Sequence, residues 1–524
     1  MPLSFTQQRL WFLAQLDGTS AAYNIPMAMR LRGRLDRPAL LRALAAVVQR
    51  HEVLRTRFAD DGGVPRQVIG DGGDFTVAEE ELTDPARLAA ICREEAAAPF
   101  DLERGPLIRV RLLRRSEQEH HLLVTTHHSV SDGWSVGVFF RDLVALYEAF
   151  GAGRPDPLEP LPVQYADYAH WQRERLAGEL HGRQTDYWKR QLAGVDLRLT
   201  LPADRERPRV KTYTGAKENF TCPAELLNAL RDVAKVHEAT LYMTLLAAYT
   251  VVLNRCTRRT DIAVGTVVAG RGRREVEDLV GFFANTLVMR ADLADDPEFR
   301  DLLARVKKTA LEAYAHQDVP FEAVVEALDT ERSLAHSPVF QTMFVLQEAQ
   351  TRRDVTLGGL EVSPVDFDLS FTKFDLTLDL RESPDGLVGT VEYNPDLYDR
   401  ETIRRFIGHY TRLLAAVADD PGRPVSRLAM IDAEERRQVV EVFNDTERPF
   451  SDDRCLHELF EEQVARTPGA PRWSPPTAHG RTPNSTPGPN ASRAACAGTV
   501  SDRTRRSVCT PSVPPKWSPA SWAP

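Results

Sequence analysis

Up to about residue 418 the apolar positions keep changing period. Short runs in which every residue or every second residue is apolar give way to longer stretches with apolar side chains three and four apart. The first pattern predicts strands and the second amphipathic helices, so their alternation predicts a mixed α/β chain. Two similar halves emerge. In the first, 28–35 predicts a strand, 38–50 a helix, and 107–113 and 120–126 a pair of strands; helices follow over 134–150 and around 165–192. In the second, a strand near 217–221 precedes helices over 224–236 and 240–253, a strand at 261–267 and a helix over 298–315. Strands at 339–346, 372–380 and 387–393 and a helix over 400–416 complete it. Pro202, Arg205 and Pro208 interrupt the helical pattern and place the boundary between the halves near 180–205.

Composition changes this picture only at the C-terminal end. Residues 471–524 hold eleven prolines and six arginines with no apolar period, a composition that cannot offset the entropy of ordering, so disorder is expected there. The expected organisation is a first lobe over 1–180, a second over 181–435, a linker over 436–470 and a Pro/Arg-rich tail over 471–524. A chain of 524 residues with 42% hydrophobic and 27% charged positions has ample length for two large cores. The longest apolar stretch, 241–253, falls short of the ~20 residues of a membrane span, and no basic-then-apolar leader opens the sequence. The chain is expected in the cytoplasm, without membrane attachment. Six scattered cysteines suggest neither a disulfide framework nor structural zinc, and a net charge of -9 offers no general attraction to nucleic acid.

The candidate chemistry lies in His127-His128-Ser129-Val130-Ser131-Asp132-Gly133-Trp134-Ser135, just after the strand at 120–126. Adjacent strand residues point to opposite faces, so one histidine should face a cleft while the other packs. The same geometry disfavours a zinc site built from His127, His128 and Asp132. Gly133 permits a close approach of substrate or an unusual backbone turn, and Trp134 and Ser135 open a helix whose positive end suits developing negative charge. A strand-end histidine beside a helix start can serve as an acid or base. Taken alone, such a pattern more often serves structure than catalysis.

The segment resembles the third core motif, HHxxxDGWS, of the condensation domains of nonribosomal peptide synthetases, and the other core motifs stand in order around it. Residues 3–12 (LSFTQQRLWF) resemble the first, with Thr6 in place of Ala; 50–58 (RHEVLRTRF) resemble the second; 165–172 (YADYAHWQ) the fourth; 280–287 (VGFFANTL) the fifth; 316–321 (HQDVPF) the sixth; and 337–341 (SPVFQ) the seventh, with a blurred lead-in at Glu331-Arg332-Ser333. The resemblance covers roughly residues 3–435. It implies an α/β (α+β) fold of two chloramphenicol-acetyltransferase-like lobes in a V-shaped pseudo-dimer with a central tunnel. It also implies peptide-bond formation, in which an aminoacyl or peptidyl group passes from a donor carrier-protein thioester to the α-amine of an acceptor aminoacyl carrier protein. No cofactor is bound; the substrates arrive on the phosphopantetheine arms of donor and acceptor peptidyl carrier proteins. The donor is expected in trans, and the protein as a monomer.

By that resemblance His128 is the catalytic residue, as base, positioning group or hydrogen-bond donor to the tetrahedral intermediate, and Gly133 lends backbone approach near the thioester. His127, Asp132, Arg271 and Trp134 are structural, Asp132 pairing with Arg271 from the second lobe, or with Arg273. The Gly-Trp-Ser ending separates the segment from epimerisation domains, and the first motif resembles that of domains joining two L residues. Leu357-Gly358-Gly359-Leu360 reads as a turn, because the serine of a carrier motif is replaced by Glu361. His51 and His316 are expected to serve local hydrogen bonding, Trp11, Trp171 and Trp188 to pack, and Arg271, Arg273 and Arg274 to form a solvated loop or a carrier contact. Residues 456–468 (LHELFEEQVARTP) resemble the opening helix of an adenylation domain, a likeness that stops after Ala470 and is read as a truncation or frameshift. The alternatives are an inactive remnant that binds carriers and a free-standing acyltransferase using coenzyme A thioesters.

Overall fold

The computed structural model describes residues 1–17, 20–199, 201–328, 333–347, 356–365, 367, 371–447 and 455–468. The tail at 471–524 and Glu331 and Arg332 of the seventh motif's lead-in lie outside the described residues. The chain divides into two units, one of Met1–Arg436 and one that begins at Arg437.

The first unit begins with helix α1 (Phe5–Asp17), strand β1 (Asn24–Arg32) and helix α2 (Arg37–Arg50), followed by a hairpin of β2 (Thr56–Asp61) and β3 (Val64–Ile69). Next come β4 (Val77–Glu81), α3 (Leu88–Ala97), β5 (Ile108–Ser116), β6 (Glu119–His127), α4 (Gly133–Gly151), α5 (Tyr165–Arg175) and α6 (Glu179–Gln191). Its second half runs through β7 (Ala216–Pro223), α7 (Ala224–Val236), α8 (Leu241–Thr257), β8 (Asp261–Val268), β9 (Asn285–Asp292), α9 (Phe299–Ala315) and α10 (Phe321–Ala327). Then follow β10 (Thr342–Gln347), β11 (Thr356–Leu357), β12 (Leu360–Pro364), β13 (Leu376–Ser383), β14 (Gly386–Tyr393), α11 (Arg400–Asp419) and α12 (Ala433–Val440), within which the first unit ends.

Local chemistry accounts for the main elements. Asp36 caps α2 by accepting from Ala39 N at 3.0 Å, and the helix buries Leu40, Ala43, Leu44, Val47 and Val48, the spacing of one face. Strand β6 runs between β1 and β5 with every residue from His120 to His127 buried, polar ones included, so it is covered on both faces. The apolar stretch of α8 is a core helix, buried from Met243 to Leu253. Among the described residues no single helix is long and apolar enough to cross a membrane.

Two six-stranded sheets result, in the orders β11-β12-β1-β6-β5-β4 and β7-β14-β13-β10-β8-β9. The first corrects the expected division of the chain: 356–364, placed by sequence in the second lobe, pairs antiparallel with β1, with Leu31 opposite Val362 and Met29 opposite Pro364. The turn at Gly358-Gly359 makes this possible. Both glycines have positive φ (+57° and +88°), and a Cβ on Gly358 would stand 2.7 Å from the Tyr147 ring of α4. Val276, Leu279, Val280 and Phe283, also from the second half, pack into the first lobe's core.

Candidate active site

His127 ends β6, and the chain leaves the strand in a single 3-10 turn, His128–Val130, before Asp132 caps α4. His127 is buried beside Tyr23 and Phe100, its Nδ1 within 2.7 Å of Ser129 Oγ and accepting from Ser129 N at 3.2 Å. An accepting Nδ1 puts the ring proton on Nε2, which has no partner among the described residues. Burial, with Lys373 and Arg109 adding to it, pulls the His127 pKa down to about 3. His128 turns the other way. Its Nδ1–H donates to Ser131 O at 2.9 Å, which leaves the Nε2 lone pair, and its ring lies 4.2 Å from Phe282. Burial holds its pKa well below the usual histidine value, reinforced by Lys373 and opposed by backbone hydrogen bonds. The ring is therefore neutral at pH 7.

Asp132 is a buried junction. Oδ1 accepts from Ser135 N at 2.9 Å, the N-cap bond of α4, and stands 3.4 Å from Arg271 Nη2; Oδ2 accepts from Phe283 N at 2.9 Å and Ala284 N at 3.1 Å. Ser135 Oγ receives Gly281 N at 3.0 Å and Arg271 Nη2 at 2.9 Å, and its one proton serves Asp132 Oδ1 or the Gly281 carbonyl. Arg271 also donates to Leu279 O at 2.8 Å and lies 4.1 Å over the Phe283 ring. Its buried position beside Asp132 takes Arg271 out of the expected arginine cluster, while Arg273 and Arg274 are exposed and Arg273 lies 4.6 Å over Trp171. Gly133 opens α4 exposed, and a Cβ there would meet nothing within 4 Å, so neither crowding by the protein nor a left-handed backbone requires glycine. That corrects the expectation of an unusual turn. Trp134, also exposed, donates Nε1–H to Glu277 O at 3.0 Å.

The segment 280–285 meets the other motifs in turn. Val280 N donates to His51 Nδ1 at 3.3 Å, and His51 Nε2 lies 3.0 Å from Asp142 Oδ2. The Phe282 carbonyl accepts from Tyr165 OH at 2.7 Å, and Asn285 Nδ2 donates to Gln317 O and Val319 O, both at 2.8 Å. Gln7 Nε2 reaches Ser129 O at 3.1 Å, and Arg9 pairs with Glu322 at 2.7 Å. His316 stacks on Tyr187 and contacts Glu312 O at 2.8 Å.

Three cavities lie in series around these residues. One of about 750 Å³ is lined by Tyr168, Trp171, Arg175, Arg273 and Phe282. The next, about 380 Å³, contains His128 with Arg9, Tyr23, Lys211 and Lys373, and shares Thr6, Phe282, Ala284 and Asn285 with the first. The third, about 210 Å³, shares Met343, Lys373 and Phe374 with the second and adds Glu392. Phe282 thus stands between the first two and Lys373 between the last two. Trp171, expected only to pack, lines the first of these cavities, whereas Trp11 and Trp188 are buried.

The family profile described as "Condensation domain" matches residues 1–440. The chain belongs to the condensation-domain family. A linear gramicidin synthase protein of Brevibacillus parabrevis is 47% identical over 476 residues, 89% of this chain and 6% of that protein. Phosphinothricin tripeptide synthetase PhsC of Streptomyces viridochromogenes is 41% identical over 478 residues, 89% of this chain and 44% of that protein. The chain therefore spans less than half the length of either synthetase. The X-domain from teicoplanin biosynthesis matches with 34% identity and a TM-score of 0.76, over 82% of this chain and 97% of that one. The fold is the expected one, two chloramphenicol-acetyltransferase-like α/β lobes.

Sequence reasoning about this condensation domain missed three groups at the site. Lys373 and Lys211 line the His128 cavity, and Glu392 lines the cavity beyond it. Burial brings the pKa of each lysine down to about 8 and raises that of Glu392. A lysine at 373, just before the strand that begins Leu376-Thr377-Leu378, carries no periodic signal; only its position at the start of a predicted strand could have marked it.

Proposed function

We propose that this condensation domain forms amide bonds in nonribosomal peptide assembly, passing an aminoacyl or peptidyl group from a donor carrier-protein thioester to the α-amine of an acceptor aminoacyl carrier protein. The observation that carries the reading is His128: a neutral imidazole, fixed through Nδ1 on Ser131 O, in a cavity with further cavities on both sides. The amine nitrogen attacks the thioester carbonyl carbon, and the C–N bond forms as the carbonyl electron pair moves to oxygen. His128 Nε2 takes the proton released by nitrogen. As the C=O bond re-forms, the C–S bond breaks and the departing thiolate takes that proton back. Both substrates are tethered, so orientation supplies much of the acceleration and a base of modest strength suffices. His127, Asp132, Arg271 and Trp134 hold the frame, and Gly133 leaves the start of α4 open. No bound cofactor is needed, because the phosphopantetheine arms of the two carriers bring the reacting groups.

Residues 456–468 we take as the remnant of an adenylation domain's opening helix. In support, the stretch of this chain matched by the gramicidin synthase protein is longer than the 440 residues taken by the condensation-domain profile, and Leu456–Arg466 is helical with Cys455 N donating to Glu458 Oε2 at 2.8 Å.

The test is a single-turnover reaction of the full chain with separately loaded donor and acceptor carrier proteins, read by mass spectrometry. Dipeptidyl product on the acceptor arm is expected, reduced ~10²-fold or more in His128→Ala. A folded wild-type protein that makes no product across a panel of aminoacyl donors and acceptors would leave a carrier-binding remnant in place of an enzyme.

A further inference from the structure

Three long cationic side chains line the cavity that holds His128: Arg9, Lys211 and Lys373. Two are committed. Arg9 pairs with Glu322 at 2.7 Å, and Lys211 Nζ donates to Ser337 Oγ at 2.9 Å and to the Lys373 carbonyl. Lys373 differs: its Nζ lies 5.1 Å from the centre of the Tyr23 ring, and Glu392, which shares the adjoining cavity, attracts it through space without forming an ion pair within 4.0 Å among the described residues. Tyr23 lines the same cavity, and its ring is 6.5 Å from that of His127, so Lys373 shares a cavity wall with His128 at the junction with the next cavity and its charge acts on both histidines. A half-buried cation that is not tied to a carboxylate by a hydrogen bond is costly to keep, and such groups concentrate where function needs them.

Amide formation supplies an anion within reach of this cavity wall. Attack of the amine on the thioester pushes the carbonyl electron pair onto oxygen, and this oxyanion develops within a protein-walled cavity, where a preset donor is worth more than in bulk water. We propose that Lys373 is a catalytic residue of this site, donating a hydrogen bond from its ammonium to the oxyanion of the tetrahedral intermediate while His128 carries the amine's proton. The inference rests on the amide-forming reading above. Lys373 exchanges no proton: the bond it makes to oxygen tightens as the C–N bond forms and loosens as the C–S bond breaks. The same charge disfavours the imidazolium of His128: it keeps the ring unprotonated before attack, and the oxyanion that forms between them offsets its opposition as His128 takes the amine's proton. Burial lowers the pKa of Lys373 to about 8, with Glu392 opposing, so the cation persists at pH 7.

The test compares full-length wild type with Lys373→Met and Lys373→Arg, each first shown to be folded by circular dichroism. Single-turnover amide formation between loaded carriers is measured alongside binding of two pantetheine-linked probes, a phosphonate that mimics the oxyanion and a neutral ketone that mimics the ground state. For Lys373→Met the expected loss is on the order of 10²–10³-fold in rate at saturating acceptor, with phosphonate affinity falling about as far and ketone affinity within about threefold of wild type. Lys373→Arg, which keeps the charge and the donors, is expected to recover at least about tenfold of that loss. If Lys373→Met does not fold, Lys373→Gln carries the same comparison. A folded neutral variant that reacts within about threefold of wild type, or loses both probes equally, overturns the assignment and leaves amide formation standing. A wild-type protein without product overturns the amide-forming reading and this assignment together.

Discussion

His127 and His128 are one peptide bond apart, yet their rings meet different surroundings because β6 ends between them. The alternation of side chains along a strand makes that split legible in sequence: one ring has to pack and the other to face a cleft. The partners are not legible. Ser129 reaches back to His127 through the 3-10 turn, and Tyr23 and Phe100 arrive from distant parts of the chain. The packed ring makes folding depend on pH. In the unfolded chain His127 titrates near 6.5, in the folded one at about 3, so the unfolded state binds more protons between these values. Its contribution to stability is complete above pH 6.5 and is lost as pH falls toward 3, about 3 kcal/mol by pH 4. His127→Asn keeps an acceptor for Ser129 but cannot be protonated. Urea unfolding at pH 7 and pH 4 should therefore show a loss on acidification smaller in the variant than in wild type by about 3 kcal/mol.

At the scale of elements the site is a clasp between the start of α4 and the segment 280–285. Ordered motifs in the sequence mark both pieces, and the resemblance they carry points to Arg271 as the partner of Asp132. The bonds from Asp132 to the backbone of Phe283 and Ala284 leave no trace in sequence, because any residue but proline supplies an N–H. Gly281 does leave one: a Cβ there would come within 2.1 Å of the Tyr165 ring, which explains a glycine where the chain must run flat against α5. Other elements escape notice for identifiable reasons. Helix α1 hides its period because Gln7 is fully buried, satisfied by Ser4 and Ser129, so a polar residue occupies a core position. The hairpin of β2 and β3 turns at Gly62-Gly63, both with positive φ, a turn signal that the run Asp60-Asp61-Gly62-Gly63 carries in plain view. Asp132→Ala should cost about 3–5 kcal/mol in urea unfolding, because it removes the cap of α4 and leaves Arg271 buried without its carboxylate. Asp132→Asn retains an acceptor for the cap and should lose less.

At the scale of the first unit, the two sheets are tied together by a strand pair that belongs to one half in sequence and to the other in space. Period and composition identify two α/β halves, but not that 356–364 leaves its own half, since β1, its partner, lies more than three hundred residues earlier and either sheet offers an edge to a short strand. The Gly358-Gly359 turn is readable; its destination is not. If this crossover holds the lobes in register around the His128 cavity, then weakening it should loosen one sheet edge and the chemistry without melting the other sheet. Val362→Pro tests this: Val362 stands opposite Leu31, and proline removes an N–H from the strand and resists its geometry. Hydrogen exchange should show faster exchange of the amides of β1 and β12 by more than about tenfold, while β13 and β14, paired with each other and with β10 and β7, keep wild-type protection. Amide formation should fall in the same variant, because Tyr23, immediately before β1, carries its ring beside Lys373 and His127. Normal activity together with lost β1 protection would mean that the segment 280–285 alone keeps the lobes in register, and that the crossover merely covers a sheet edge.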